Sequence, residues 1–213
     1  MHSTGMSWEL IVVDDGSDDG STTVIKELTN QDNIKCLLLA KNYGQTTAIQ
    51  AGFDNAIGKY LVTLDSDLQN DPKDIPALLH KLIEEELDLV VGWRKNRKDN
   101  YFLRNLPSSI ANKLIGNITG VKLHDYGCSL KAYRADVLKE VRLYGEMHRF
   151  IPAWMATKIP ASKISELVVT HHPRIAGKSK YGISRTFRVF VDLISVYFFM
   201  RFFSRPGHFF GLI

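Results

Sequence analysis

Cysteine is almost absent from this chain: Cys36 and Cys128 are the only two among 213 residues. A disulfide framework is thereby excluded, and a reducing compartment is the expected setting. Long apolar runs are missing as well. The candidate stretch Leu193–Met200 falls far short of the roughly 20 residues that a bilayer-crossing helix needs. Residues 1–5 carry neither the basic start nor the apolar segment of a secretory leader, so none is expected. No internal repeat, low-complexity tract or linker divides the chain. An excess of one charge is lacking too: 27 basic residues face 23 acidic ones, and a net +4 is too slight for a general nucleic-acid coat.

The charge that is present lies unevenly. From Arg174 onward, Arg174, Lys178, Lys180, Arg185, Arg188, Arg201 and Arg205 face Asp192 alone, whereas the first 173 residues carry 20 basic and 22 acidic residues. A basic end of this kind suits a phosphate or an anionic surface met by one end of the molecule. With 45% hydrophobic and 23% charged residues, the chain can bury one sizeable core without a second domain.

Apolar strands alternate with helical patterns. Trp8–Val13 reads as a strand ending in Asp14-Asp15-Gly16-Ser17, and a Ser- and Asp-rich stretch then caps a helix from about Ser21 to Thr29. Ile34–Ala40 is a second strand, and Gln45–Ile57 a small-residue helix. Pro72–Glu86 places Ile75, Leu78, Leu79, Leu82 and Ile83 on one helical face before the strand Leu87–Val91. Further on, Ser108–Ile118 reads as a helix, Val137–Val141 as a short element and Ile164–Val169 as a strand. Near-continuous apolar strands separated by helices predict an α/β fold with a largely parallel sheet covered on both faces.

The stretch Tyr60-Leu61-Val62-Thr63-Leu64-Asp65-Ser66-Asp67-Leu68-Gln69 runs an apolar strand into two carboxylates one residue apart. Residues i and i+2 of a strand share a face, so Asp65 and Asp67 project together beyond its C-terminal end, the ligand-binding end of an open α/β sheet. Paired hard oxygens suit Mg2+ or Mn2+, ions that share their coordination sphere with substrate phosphates. Taken alone, the pair is better explained by ordinary strand-end capping. At the other end of the chain, Arg185, Arg188 and Asp192 share a helical face beside the uncharged run Leu193–Met200. An interfacial helix needs only such an apolar face with basic flanks, and a buried helix closing the core is the alternative.

Five motifs in order carry a resemblance: Val13-Asp14-Asp15-Gly16-Ser17, Asp65-Ser66-Asp67-Leu68-Gln69, Gly92-Trp93-Arg94, Asp125-Tyr126-Gly127-Cys128-Ser129-Leu130-Lys131, and Arg174 with Gly177-Lys178-Ser179-Lys180-Tyr181. Together they resemble glycosyltransferase family 2. Within it, their order and spacing are similar to those of polyprenyl-phosphate glycosyltransferases such as the dolichol-phosphate mannosyltransferases and undecaprenyl-phosphate glucosyltransferases.

The resemblance implies a GT-A fold, Rossmann-like with a mostly parallel sheet flanked by helices. It also implies a nucleotide-diphospho-sugar donor (UDP-sugar favoured over GDP-mannose), Mg2+ or Mn2+, and a polyprenyl phosphate acceptor at the cytoplasmic face of a bacterial inner membrane. By motif position, Asp14 and Asp15 would sit near the nucleoside, Asp65 near the ribose or sugar, and Asp67 with Gln69 at the metal. Arg94 and Arg174 would stabilise charge, Lys131, Lys178 and Ser179 would bind substrate, and Asp125 would orient the sugar. A lipid monophosphate is already a charged nucleophile, so cations that hold two anionic substrates together matter more than a strong base.

The expected organisation is a transferase domain over 1–182 and, over 183–213, an amphipathic juxtamembrane segment, with the start of a truncated transmembrane region as the alternative for it. The family's usual first strand, with its Pro-x-Tyr-Asn-Glu-like end, has no counterpart before Trp8, so an N-terminally shortened sheet is expected. A soluble sugar or protein acceptor, or a catalytically silent module that binds nucleotide-sugar or membrane, remains an alternative reading. Self-association into a homo-oligomer is left open, and nucleic acid is not an expected partner.

Overall fold

The computed structural model describes residues 5–95, 115–117, 119–143 and 145–173, with residues 191, 194, 195, 197, 198, 202 and 207–211 of the C-terminal stretch. Strand β1 (Leu10–Asp14) leads through a turn into α1 (Ser21–Leu28), and β2 (Ile34–Leu38) into α2 (Gln45–Asn55). Strand β3 (Tyr60–Thr63) is followed by a 3-10 turn at Pro72–Asp74, α3 (Ile75–Glu84) and β4 (Leu89–Trp93). Then come β5 (Lys131–Arg134), α4 (Ala135–Leu138), α5 (Ile151–Met155) and β6 (Ile164–Val168).

Helix signals account for several of these boundaries. The Asp71 side chain accepts a hydrogen bond from Lys73 N and opens the turn before α3, whose first turn contains Pro76. Proline is tolerated there because the N–H it lacks has no partner within the helix. Ile75, Leu78, Leu79 and Leu82 of α3 are buried, the face its 3.6-residue period marks. The Asp-rich stretch caps α1 as expected: the cap position is Gly20 at φ 87°, and the Asp19 side chain before it accepts from Ser21 N, the first N–H of the helix, at 3.1 Å.

Strand order is β1-β2 in one sheet and β3-β5-β4-β6 in another. Pairs β1–β2 and β4–β6 are parallel, as expected, but β5 runs antiparallel to both β3 and β4, so the sheet arrangement is mixed rather than mostly parallel. The four residues of β5, Lys-Ala-Tyr-Arg, have charged ends and carry little strand signal. Pairing on both edges makes them a strand. The short element expected at Val137–Val141 is the turn of helix α4.

Packing is concentrated in the larger sheet. Leu89, Val90 and Val91 of β4 are 0% exposed, and Ala132, Tyr133, Leu78 and Met155 are as fully buried around them. Gly92 continues β4 because a Cβ there would lie 2.9 Å from the Leu130 carbonyl oxygen and 3.0 Å from Cys128 Sγ. The smaller sheet is thinner, and α1 buries no residue at all. Helix α2 bridges the two sheets. Gly52 faces Val13 of β1, while the Phe53 ring meets Tyr133 of β5 edge-on at 5.6 Å. Glu9 Oε1 also accepts from Ile57 N and Gly58 N, linking the approaches to β1 and β3. Neither β1 nor β3 has a strand on its second edge among the described residues.

Of the helix expected over 108–118, only residues 115–117 are described, and they are helical. In the C-terminal stretch, Phe198 lies 6.4 Å from Phe202 and 6.1 Å from Phe210 between ring centroids. Among the described residues, no helix is long and apolar enough to cross a membrane.

Candidate active site

The site residues cluster at the carboxyl ends of β1, β3 and β4. Asp14, the last residue of β1, is 4% exposed. Its carboxylate accepts from Ser17 N at 3.0 Å, from Ser17 Oγ at 2.5 Å and from Thr22 Oγ1 at 2.5 Å. The bonds from Ser17 and Thr22 hold its pKa below the ordinary carboxylate value. Asp15 accepts from Tyr43 N and Gly44 N, both at 2.8 Å, and so ties the first turn to the start of α2. Between these anchors, Gly16 takes φ 71°, and a Cβ there would sit 2.4 Å from the Lys41 carbonyl carbon. Both carboxylates therefore shape the turn.

Asp65 lies two residues beyond β3 and is half-buried. Gln45 Nε2, on the first residue of α2, donates to its Oδ1 at 2.9 Å, and the Ser129 hydroxyl forms a further side-chain hydrogen bond. Burial raises the Asp65 pKa, and the negative charge of Asp67 raises it further. The two carboxylates are thus close enough to repel one another. Asp67 Oδ1 accepts from Gln69 N at 3.1 Å around Leu68, a non-glycine residue at φ 59°. Such a conformation is uncommon for leucine and keeps the loop tightly wound. Gln69 O accepts from His172 N at 2.8 Å, and Asn70 bridges to His171, so the His-His segment is pinned to this loop.

Arg94 and Asp125 meet in a two-pronged ion pair, Nε to Oδ2 at 2.6 Å and Nη2 to Oδ1 at 2.8 Å, with both side chains 11% exposed. Their opposite charges are therefore spent largely on each other. Lys131 departs from its expected place as a cation facing substrate. It is 3% exposed, donates through Nζ to the Cys128 carbonyl, and burial lowers its pKa. An ammonium that far inside braces the 128–131 turn. Arg174, Lys178 and Ser179 lie outside the described residues.

Three contacts were not legible beforehand. Gln45 and Ser129 both reach Asp65, and the buried Thr46 pairs through Oγ1 with His148 Nδ1 at 2.7 Å. Ser129 stood inside a recognised motif, and Gln45 directly follows a glycine that opens a helix. No local pattern marked the contact between Thr46 and His148, 102 residues apart.

Asp65, Asp67 and the Gln69 side-chain oxygen form a set of hard oxygen donors. Among the described residues, no three His, Cys, Asp or Glu side chains gather into a metal cluster. This donor set fits Mg2+ or Mn2+ bound through one or two carboxylates and completed by substrate phosphates.

Comparison with known proteins places these features in context. The family model described as "Glycosyl transferase family 2" matches residues 1–142. A dodecaprenyl-phosphate galacturonate synthase of Rhizobium johnstonii is 61% identical over 206 residues, covering 96% of this chain and 61% of that protein. An undecaprenyl-phosphate 4-deoxy-4-formamido-L-arabinose transferase of Aeromonas hydrophila is 40% identical, covering 89% of this chain and 57% of its own length. The chain thus spans about three-fifths of the length of these curated relatives. Among solved structures, glucosyl-3-phosphoglycerate synthase from Mycobacterium tuberculosis, in complex with Mn2+ and UDP-glucose, superposes with a TM-score of 0.67 at 14% identity. That superposition covers 90% of this chain and 67% of that one, and it shows the GT-A fold.

Proposed function

The chain belongs to glycosyltransferase family 2, and on that premise we propose that it transfers a sugar from a nucleotide-diphospho-sugar to a polyprenyl phosphate. The observation that carries this reading is the pair Asp65 and Asp67, set one residue apart just past β3, with Gln45 bonded to the first carboxylate and Gln69 N to the second. A divalent cation held by Asp67 and Gln69 would supply the positive charge that neutralises a leaving diphosphate. We take the donor to be a UDP-sugar. The dodecaprenyl-phosphate galacturonate synthase that is 61% identical supports galacturonate as the first sugar to test.

In this reading, the acceptor's phosphate oxygen attacks the anomeric carbon, the bond to the diphosphate oxygen breaks, and configuration inverts. Positioning and electrostatic stabilisation dominate such a step. Asp14 and Asp15 shape the turn that receives the nucleoside, Asp65 holds ribose or sugar hydroxyls, and Asp67 with Gln69 holds the ion. The Arg94–Asp125 pair orients the sugar as a unit. Arg174, Lys178 and Ser179 are our candidates for the acceptor phosphate. The exposed Val191, Ile194 and Phe210, at 44%, 46% and 65%, support docking of the C-terminal stretch on the cytoplasmic face of a membrane.

The test incubates the chain with UDP-galacturonate, a polyprenyl phosphate and Mn2+ or Mg2+, then analyses the lipid product. Glycolipid formed by the unsubstituted chain and lost in Asp67→Ala is the expected result. Metal-independent transfer that survives Asp67→Ala rejects the assignment. Among the described residues β1 and β3 each have one edge without a partner strand, which favours one second reading, nucleotide-sugar binding without transfer, and binding with no glycolipid would select it.

A further inference from the structure

The Arg94–Asp125 pair fixes two side chains relative to each other, yet neither residue stands inside a strand. Arg94 follows the end of β4, and Asp125 lies in the stretch between β4 and β5. One residue back in each segment, a second contact joins the same two stretches. The imidazole of His124 stacks on the indole of Trp93, with ring centroids 4.1 Å apart and planes 15° from parallel. Lys95 Nζ stands over the same indole, 5.3 Å from its centre. Trp93 itself is the last residue of β4 and is paired with Val168 of β6.

The stack is anchored from β6. Glu166 stands in register with Val91, two residues before Trp93, so the Glu166 and Trp93 side chains share one face of the sheet. The Glu166 carboxylate holds His124 twice: Oε2 accepts from its backbone N–H at 2.8 Å, and Oε1 pairs with its ring Nδ1. An ionised carboxylate only accepts, so Nδ1 carries the proton in that pair. An ion pair between two exposed, flexible side chains would fix little. Here the Glu166 side chain is only 18% exposed, and one of its two donors is backbone, which moves with the next residue. On the other side of Asp125, Tyr126 is 1% exposed and donates its hydroxyl to the Val121 carbonyl. Asp125 is therefore held between a residue clamped to β6 and a residue buried in the core.

We infer that Glu166, acting through His124, is a positioning residue that sets where the Arg94–Asp125 pair stands relative to the sheet, and through that pair where the donor's sugar lies. This rests on the sugar-orienting role proposed above for Arg94 and Asp125. The ion pair alone leaves its own place open, because both partners can shift together. The hold of a β6 carboxylate on the residue before Asp125 removes that freedom, and a shift of about 1 Å is enough to matter at a reacting centre.

Calorimetric titrations of the chain with UDP and with UDP-galacturonate, each with Mn2+, separate the sugar's share of the affinity from the nucleotide's. Glu166→Ala leaves UDP affinity unchanged and weakens UDP-galacturonate binding about tenfold, the scale of one hydrogen bond to a charged group. Glu166→Gln keeps an acceptor for the His124 N–H and offers an amide donor to the other ring tautomer, so it restores the affinity. Equal weakening of both ligands by Glu166→Ala, weakening of neither, or a Glu166→Gln variant as weak as Glu166→Ala overturns the inference. A readout without ligand separates it from the functional reading: the Arg94 Nε–H proton resonance shifts in Glu166→Ala and stays in place in Glu166→Gln. Absence of that shift overturns the positioning role whatever the chain binds. An unsubstituted chain that binds UDP-galacturonate no better than UDP, or binds neither, while the Arg94 resonance still shifts with Glu166→Ala, overturns only the sugar-orienting reading.

Discussion

The two sheets of this molecule are held by different means. The β3-β5-β4-β6 sheet carries Asp65, Asp67 and Asp125 around a core in which all of Leu89–Val91 is inaccessible to solvent. The β1-β2 sheet carries Asp14 and Asp15 with its first strand only partly covered and no buried residue on α1. Its turn is set by hydrogen bonds to carboxylates instead. Apolar burial dominates the first region, whereas in the second the hydrogen bonds from Ser17 and Thr22 favour the ionised form of Asp14. One site is thus assembled from a rigid half and a half whose geometry depends on a few polar contacts.

The largest expected effect lies in the packed half. Asp125→Ala leaves the Arg94 guanidinium without its two-pronged partner at 11% exposure, a loss of about 3–5 kcal/mol by chemical denaturation. Replacing both residues with apolar side chains costs much less, and an equal cost for the double variant would show that the pair itself is not the source. Next, Leu89→Ala, at 0% exposure, costs about 2–5 kcal/mol, while Val24→Ala on α1, at 62%, stays within about 0.5 kcal/mol. Similar costs at the two positions would erase the contrast between the sheets.

In the thinner half, Gly16→Ala forces an alanine to φ 71° against Lys41, a strain of about 1–3 kcal/mol that lowers the thermal midpoint and weakens nucleotide binding. The smallest effect is one of pH. Asp14 has a folded pKa below its ordinary 3.8, so its contribution is fully present above that value and is lost as pH falls through the folded pKa. Asp14→Asn therefore flattens the acid limb of the stability profile below pH 3.8, and an unchanged limb would remove Asp14 as its cause.

Much of the frame was legible in the chain. The strand at Tyr60–Thr63 and the helix starting at Gln45 stand where the apolar pattern put them, and α3 buries the face its period marks. Repeating apolar spacing survives folding because each element must hide its own apolar stripe. Strand β5 was not legible. Its four residues have two charged ends, and only neighbours on both sides make it a central strand. Lys131 shows the same limit at the site: its motif marked it as a substrate cation, and packing turned it inward.

The amino-acid sequence by itself determined the α/β class, the family and the carboxylates that end β1 and β3, because local period and ordered motifs are written along the chain. Tertiary structure alone decided that Arg94 neutralises Asp125, that Asp15 ties two turns together, and that Gln45 and Ser129 converge on Asp65. Those pairings join residues 20 to 64 positions apart. Their energies depend on distance and burial in three dimensions, and neither is encoded in any local pattern.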